Sequence, residues 1–427
     1  MNSRILQKTD WLTILIYILL VCAGWFNIYS ATFQGESSSL FDLSQVYGKQ
    51  LLFIGAGMVT AIVIFSIDAK FYERFSSIIY LVSLVSLMGL FVFGKNVNGA
   101  TSWYVLGSNT IQPSEFAKAA TALALSKYLS DIQTSIGSLK DQLRAILIIV
   151  LPALLIIPQP DPGSAMVYAS FFFVLYREGL SPIYMVIGFI AGLLFVLTLM
   201  FGPVWVASIA LILTVVIFAL KKRNNRRLAV FPFIISLLGA VLFSFSVKLI
   251  YDHVFEQRHR DRFSLWLRLE KDPQKLAEIK KTIGYNTNQS EEAIGSGGFW
   301  GKGFLEGTRT KGDFVPEQHT DYIFSTVGEE WGFMGSVLVV VLFTILLLRL
   351  LFLAERQKSH FSRIYGYCVA SILFFHFSIN VGMVIGLLPT IGIPLPFLSY
   401  GGSSLLGFTI LLFVFLKLDA NRINEWM

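Results

Sequence analysis

The strongest constraint in this sequence is the repeated run of apolar residues long enough to cross a bilayer, roughly 20 at a time. A window of about 19 residues marks twelve such segments, near 11–31, 50–67, 76–94, 113–130, 143–158, 163–178, 183–201, 203–220, 229–250, 331–353, 364–388 and 403–420. Residue usage agrees: 55% is apolar and 14% charged, where a soluble domain carries about 25% charge. A water-soluble globular enzyme, a disordered chain and a fibrous repeat are thereby excluded. The expected fold is an all-α polytopic membrane protein of twelve transmembrane helices, with 1–427 forming one integral membrane domain. Segment 113–130 carries charge, and 183–201 meets 203–220 at Gly202-Pro203, which fits either a tight re-entrant turn or two crossings. Arg4 and Lys8 before Trp11–Ala31 imitate a signal peptide. That run is too long, and no clean small-residue cleavage pattern follows, so it reads as the first span.

Orientation follows from the basic residues, which gather on the cytoplasmic side. With the N-terminus inside, Lys70/Arg74, Lys127/Lys140/Arg144, Lys221-Lys222-Arg223 with Arg226-Arg227, and Arg356/Lys358/Arg363 all fall in cytoplasmic segments. An even number of spans returns the C-terminus to the same side, in keeping with Lys417 and Arg422. The net charge of +7 is scattered among these segments and so reports topology, not a nucleic-acid partner. One hydrophilic stretch stands apart, the extracytoplasmic loop 252–320, with 11 basic and 11 acidic side chains. A loop of this length is usually functional, which directs attention to the outer membrane surface. Cys22 and Cys368 lie inside apolar runs, so neither a disulfide nor a zinc framework is indicated.

Polar groups at membrane depth are costly and mark sites or pathways. In Gln112-Pro113-Ser114-Glu115-Phe116-Ala117-Lys118, Glu115 and Lys118 share a helix face. They form either a self-satisfied ion pair or a cation offered to an anionic ligand. Pro158-Gln159-Pro160-Asp161-Pro162-Gly163-Ser164 breaks the helix, and Asp161 is placed to cap the next one. In the long loop, Arg258, Arg260 and Arg262 alternate, and the glycines of Ala293–Gly303 permit close backbone approach to a ligand. No strand–helix context surrounds those glycines, so a nucleotide-binding loop is not expected. Asp321 stands where the polar loop re-enters an apolar helix. It suits a general base, and Thr320 or Asp321 suits equally an N-cap worth about 1 kcal/mol. Leu388–Ser404 holds three prolines and three glycines and cannot be a span. It must be buried in protein or line a cavity, and Asn380 in the preceding span needs a partner for the same reason.

Three of these segments together resemble the SEDS family of shape, elongation, division and sporulation proteins. They are Pro394-Leu395-Pro396-Phe397-Leu398-Ser399-Tyr400-Gly401-Gly402-Ser403-Ser404, Pro316-Glu317-x-His319-Thr320-Asp321-Tyr322-Ile323-Phe324 with Gly328-Glu329-Glu330-x-Gly332-Phe333, and Ile294-Gly295-Ser296-Gly297-Gly298-x-x-Gly301-Lys302-Gly303. Gln112–Lys118 and Gln159–Ser164 fit as well, so the resemblance spans about residues 11 to 420. The short tails and opening span are closer to the elongation branch than to the division branch. The family usually has ten spans, which puts the surplus at 183–250. The resemblance implies a peptidoglycan glycosyltransferase that polymerises lipid II at the outer face of the cytoplasmic membrane, with undecaprenyl diphosphate leaving. It makes Asp321 the catalytic carboxylate and matches Lys118, Glu115 and Trp103 to family functional positions. Ser102 stands where the family has an arginine, leaving the cationic contact missing or supplied by Lys95. Further substrate-binding candidates are Arg258, Arg262, Gln289, Ser296, Lys302, His319, Thr320, Glu329, Asn380, Pro396, Ser399 and Tyr400.

One base acting by direct displacement predicts inversion at the anomeric carbon. Positive charge for the diphosphate would come from Lys118, from loop arginines, or from a divalent cation, magnesium or manganese. Implied partners are lipid II, the nascent glycan strand, a class B penicillin-binding transpeptidase, the elongation machinery and membrane lipid. A lipid II flippase also fits twelve spans with broken helices, although no inverted repeat is visible and the long outer loop is unusual for a transporter. A scaffold that only recruits an enzyme would leave Asp321 with no role beyond capping.

Overall fold

The structure, a computed structural model, describes residues 8–33, 39–97, 99–107, 109–224, 229–270, 272–282, 284–312, 314 and 318–422. Arg4, Arg226, Arg227, Pro316 and Glu317, invoked above, lie outside the described residues. Contacts group the chain into two compact units, Met1–Leu180 with Asn286–Met427, and Ser181–Tyr285; the sequence alone suggested one domain.

The first unit begins with α1 (Trp11–Thr32), α2 (Val46–Ser66), the short α3 (Ala69–Arg74) and α4 (Ser76–Phe93). A three-stranded antiparallel sheet follows, β1 (Lys95–Val97), β2 (Ala100–Leu106) and β3 (Asn109–Ile111). Next come α5 (Pro113–Leu129), α6 (Leu139–Ile156), α7 (Pro162–Met166), a 3-10 turn and α8 (Phe171–Arg177). The second unit holds α9 (Pro182–Phe201), α10 (Pro203–Asn224), α11 (Phe231–His253), α12 (Gln257–Trp266) and α13 (Pro273–Lys281). The first unit resumes with α14 (Tyr285–Gly297), α15 (Thr308–Lys311), α16 (Ile323–Glu330), α17 (Gly332–Glu355), α18 (His360–Val384) and α19 (Gly402–Asn421). The loop 252–320 is therefore largely helical.

All twelve expected segments are helical, and nine helices among the described residues are long and apolar enough to cross a membrane: α1, α2, α4, α9, α10, α11, α17, α18 and α19. The other three depart from a simple span for identifiable reasons. α5 has 17 residues and carries Glu115, Lys118 and Lys127. α6 is 18 residues long and carries Lys140, Asp141 and Arg144 in its first two turns, and Pro152 inside it lacks the N–H for a helical hydrogen bond. The segment 163–178 breaks into α7, the 3-10 turn Val167–Ser170 and α8. Asp161 caps α7 as expected, its Oδ1 accepting from the Ser164 backbone N–H at 3.0 Å. In the second unit Gly202, at φ +84°, joins α9 to α10 in one residue, and both helices are of crossing length. Thr198 is the one buried residue of α9, which packs on α10 and α11 and leaves most of its other apolar side chains exposed.

α19 is the central helix of the first unit, with 83% of its apolar window buried, and it packs against α2, α5 and α18. Between α18 and α19 the chain runs without regular structure, yet Ile393, Leu395, Phe397 and Leu398 are fully buried. Gly163 of α7 lets that segment come close: a Cβ there would lie 2.9 Å from Ile393 Cγ2 and 3.0 Å from the Gly392 carbonyl.

The glycine-rich segment does approach another backbone closely, but its partner is internal. A Cβ at Gly301 would lie 2.1 Å from the Glu330 carbonyl oxygen, and φ there is +82°. The Lys302 and Gly303 N–H groups donate to the Glu329 and Glu330 carbonyls at 3.1 and 3.0 Å. Gly301→Ala is therefore expected to lower stability by about 2 kcal/mol or more through backbone strain and overlap. Gly295→Ala, whose Cβ meets nothing within 4 Å, should be neutral or stabilise by up to about 1 kcal/mol. Thermal unfolding of the two variants in detergent compares them directly.

Candidate active site

Asp321 lies in the turn before α16 and is half-buried. Tyr322 is the N-cap residue of α16 and provides no side-chain cap. The Asp321 main chain is gripped from α18. Asn380 of α18, fully buried, donates from Nδ2 to the Asp321 carbonyl at 2.8 Å and to the Ile393 carbonyl at 2.7 Å. One amide therefore ties the turn to the irregular segment. The Tyr400 N–H donates to the His319 carbonyl at 2.8 Å, and the two rings meet edge to face at 5.4 Å. Ser399 Oγ accepts from the Leu395 N–H at 2.8 Å, closing the turn that buries Pro396. The carboxylate itself faces Gly392, where a Cβ would stand 3.3 Å from Oδ2. Next to it, hydroxyls of Thr287, Tyr322 and Thr390 form a triangle with sides of 3.1, 2.9 and 3.4 Å, fastening α14 to the same wall.

A second cluster lies deep in the bundle. Lys118 Nζ meets Glu115 Oε2 at 2.8 Å, with both side chains 2% exposed. The pair anticipated from spacing has a third member, His376 of α18, whose Nε2 lies 2.9 Å from Lys118 Nζ. Sequence reasoning missed His376. The signal was available, since a histidine inside an apolar span is as costly as the Asn380 that drew attention one turn later. Above this cluster, Gln112 donates to Asp161 Oδ2 at 2.8 Å, and its N–H donates to Ser403 Oγ at 3.0 Å.

The remaining candidates separate into three groups. Lys302, Glu329 and Ser296 are engaged internally: Lys302 Nζ pairs with Glu329 Oε1 at 2.6 Å, and Ser296 Oγ donates to the Ala293 carbonyl at 2.8 Å. Gln289 Oε1 accepts from Arg309. Trp103 is on β2, directly opposite Lys95 on β1, so the two share a sheet face, while Ser102 points the other way and is buried. Arg258 and Arg262 belong to the second unit, where Arg258 pairs with Glu256 at 2.7 Å.

Glu329 and Glu330 lie side by side with opposite electrostatics. Burial alone would raise the Glu329 carboxyl, but the Arg309 and Thr310 N–H groups, Lys302 and the Thr310 hydroxyl hold it below the usual carboxylate range. Glu330, desolvated and bonded to Ser30, is pushed above that range.

The sequence matches the profile of the FtsW/RodA/SpoVE cell cycle protein family over residues 10–208 and 205–424. It is 33% identical to the peptidoglycan glycosyltransferase RodA of Treponema pallidum, covering 95% of this chain and 96% of the relative. Identity to the peptidoglycan glycosyltransferase MrdB of Escherichia coli is 31%, covering 94% and 92%. Among solved structures, one describing coordination of polymerization and crosslinking by a peptidoglycan synthase complex superposes with a TM-score of 0.69 at 25% identity, covering 98% of this chain and 99% of that one. The crystal structure of the rod shape determining protein RodA from Thermus thermophilus gives 0.61 at 23% identity, covering 97% of each chain, a likeness of fold.

The two neighbouring glutamates predict opposite pH responses. Glu329, depressed in the folded state, stabilises above the unfolded carboxyl value of about 4.3, and that stability is lost as pH falls through the lower folded value. Glu330, raised, favours the fold below about 4.3 and costs stability as pH rises through its folded value. Glu329→Gln should therefore destabilise near neutral pH by about 2–3 kcal/mol and approach wild type in acid. Glu330→Gln should match or exceed wild type near neutral pH. Unfolding curves from acid to neutral pH check both.

Proposed function

Since this chain belongs to the FtsW/RodA/SpoVE cell cycle protein family, we propose that it polymerises lipid II into glycan strands as a peptidoglycan glycosyltransferase, with Asp321 as the general base. The observation that carries this reading is the grip on the Asp321 main chain by Asn380, with the carboxylate facing Gly392. That arrangement sets a half-buried carboxylate against the irregular segment, where a general base can meet an acceptor hydroxyl. It takes the proton from the acceptor sugar's 4-hydroxyl while that oxygen bonds to the donor's anomeric carbon. The anomeric carbon–oxygen bond to undecaprenyl diphosphate breaks, and the diphosphate leaves with the electron pair. Two of the three Lys118 N–H donors are committed to Glu115 and His376. The third is the donor assigned to a diphosphate oxygen, where charge develops.

A divalent cation enters only as a companion of the diphosphate. Among the described residues no three His, Cys, Asp or Glu side chains converge to hold one, so phosphate oxygens would supply most ligands and no step is derived through it. Relatives named as glycosyltransferases favour this reading over a flippase. The partner proposed is a class B penicillin-binding transpeptidase within the elongation machinery, in keeping with the similar fold in a peptidoglycan synthase complex. The multi-pass chain is assigned to the cytoplasmic membrane.

The test is polymerisation of labelled lipid II by purified protein with that transpeptidase present. Asp321→Asn should lower the rate by about 100-fold or more, the usual worth of a positioned base. Strand synthesis equal to wild type in that variant would remove Asp321 from the chemistry.

A further inference from the structure

α18 places His376 and Asn380 four residues apart, on one face of the helix. Both side chains are fully buried, and both reach the irregular segment at adjacent carbonyls. Asn380 donates to Ile393 O at 2.7 Å, and His376 Nδ1 lies 3.2 Å from Pro394 O. A carbonyl only accepts, so Nδ1 carries the proton. An ammonium only donates, so Nε2, 2.9 Å from Lys118 Nζ, presents its lone pair. The contacts thus select one neutral tautomer of the imidazole. Phe408 of α19 backs the arrangement, with His376 edge-on at 4.8 Å and Lys118 Nζ 5.0 Å from the ring centre.

A histidine needed only for packing would be satisfied by the Pro394 carbonyl. This one spends its second nitrogen on the one lysine buried beside Glu115. Asp321 and Lys118 are joined in consequence by a short path: Asp321 carbonyl, Asn380, Ile393-Pro394, His376, Lys118. We infer that His376 is a positioning residue for glycosyl transfer, holding the Lys118 ammonium by its Nε2 lone pair and keeping it in register with the segment that fixes Asp321. It touches neither substrate and acts through Lys118. The inference rests on the glycosyltransferase reading above.

Lipid II polymerisation, with the transpeptidase present, tests it through three variants. His376→Leu should lower kcat by about 10–100-fold with little change in KM, the scale of a misplaced group at the reacting centre. His376→Gln, whose amide can accept from Lys118 and donate to Pro394, should recover most of that loss. In a Lys118→Met background, His376→Leu should lower the residual rate no further. Wild-type kcat in His376→Leu, no recovery with glutamine, or the same loss in both backgrounds would each overturn the inference. Should the leucine variant fail to unfold cooperatively in detergent, His376→Asn replaces it. Its shorter amide does not span both partners, and it should fall as leucine was expected to; wild-type kcat there overturns the inference equally. Failure of the underlying reading looks different: Asp321→Asn would then polymerise like wild type, or wild type would make no strands, and this inference would fall with it.

Discussion

Non-helical backbone at membrane depth must find its hydrogen bonds inside the protein, because hydrocarbon offers none. The segment between α18 and α19 meets that demand, and much of the first unit is arranged to satisfy it. Asn380 and His376 reach two of its carbonyls, Ser399 closes its last turn, and Gln50 Oε1 accepts from the Gly401 N–H at 3.3 Å. Gly163 presents a bare backbone so that Ile393 can sit against α7. The same side chains that satisfy the segment also touch Asp321 and Lys118, so structural necessity and proposed chemistry share one set of hydrogen bonds.

The glycine-rich segment performs a comparable task at the C-terminal end of α16. Gly297 and Gly301 let α14 and the following turn press on the end of α16, where Glu329 gathers Lys302, Arg309 and Thr310. This clasp fixes the C-terminal end of the helix whose N-terminal turn carries Asp321. Lys302 and Glu329 thus support the site by holding α16, a role visible only once their mutual pairing is known.

Hydropathy made the membrane class and all twelve helical segments legible. It could not reveal that 163–178 is broken, or that α5 gives up length and apolarity to seat Glu115 and Lys118 in the bundle. Local chemistry was equally readable where partners are close in sequence, as with the Asp161 cap and the Glu115–Lys118 pair. Contacts across long sequence separations were hidden. Asn380 reaches back 59 residues to Asp321, and His376 reaches 258 to Lys118. Spacing contains no trace of either. Lys95 beside Trp103 is an intermediate case, since a hairpin register is local but depends on turn geometry.

The proposed glycosyl transfer uses one carboxylate acting by direct displacement. Glu115 is committed to Lys118 and Glu329 to its own clasp, which leaves neither in the position of a second, nucleophilic carboxylate beside Asp321. The most direct measurement is the anomeric configuration of the linkage made by the purified protein, read by NMR on product strands and compared with the lipid-linked donor. Inversion at the anomeric carbon is the expected result. Retention would require a covalent glycosyl intermediate on a second nucleophile and would contradict it.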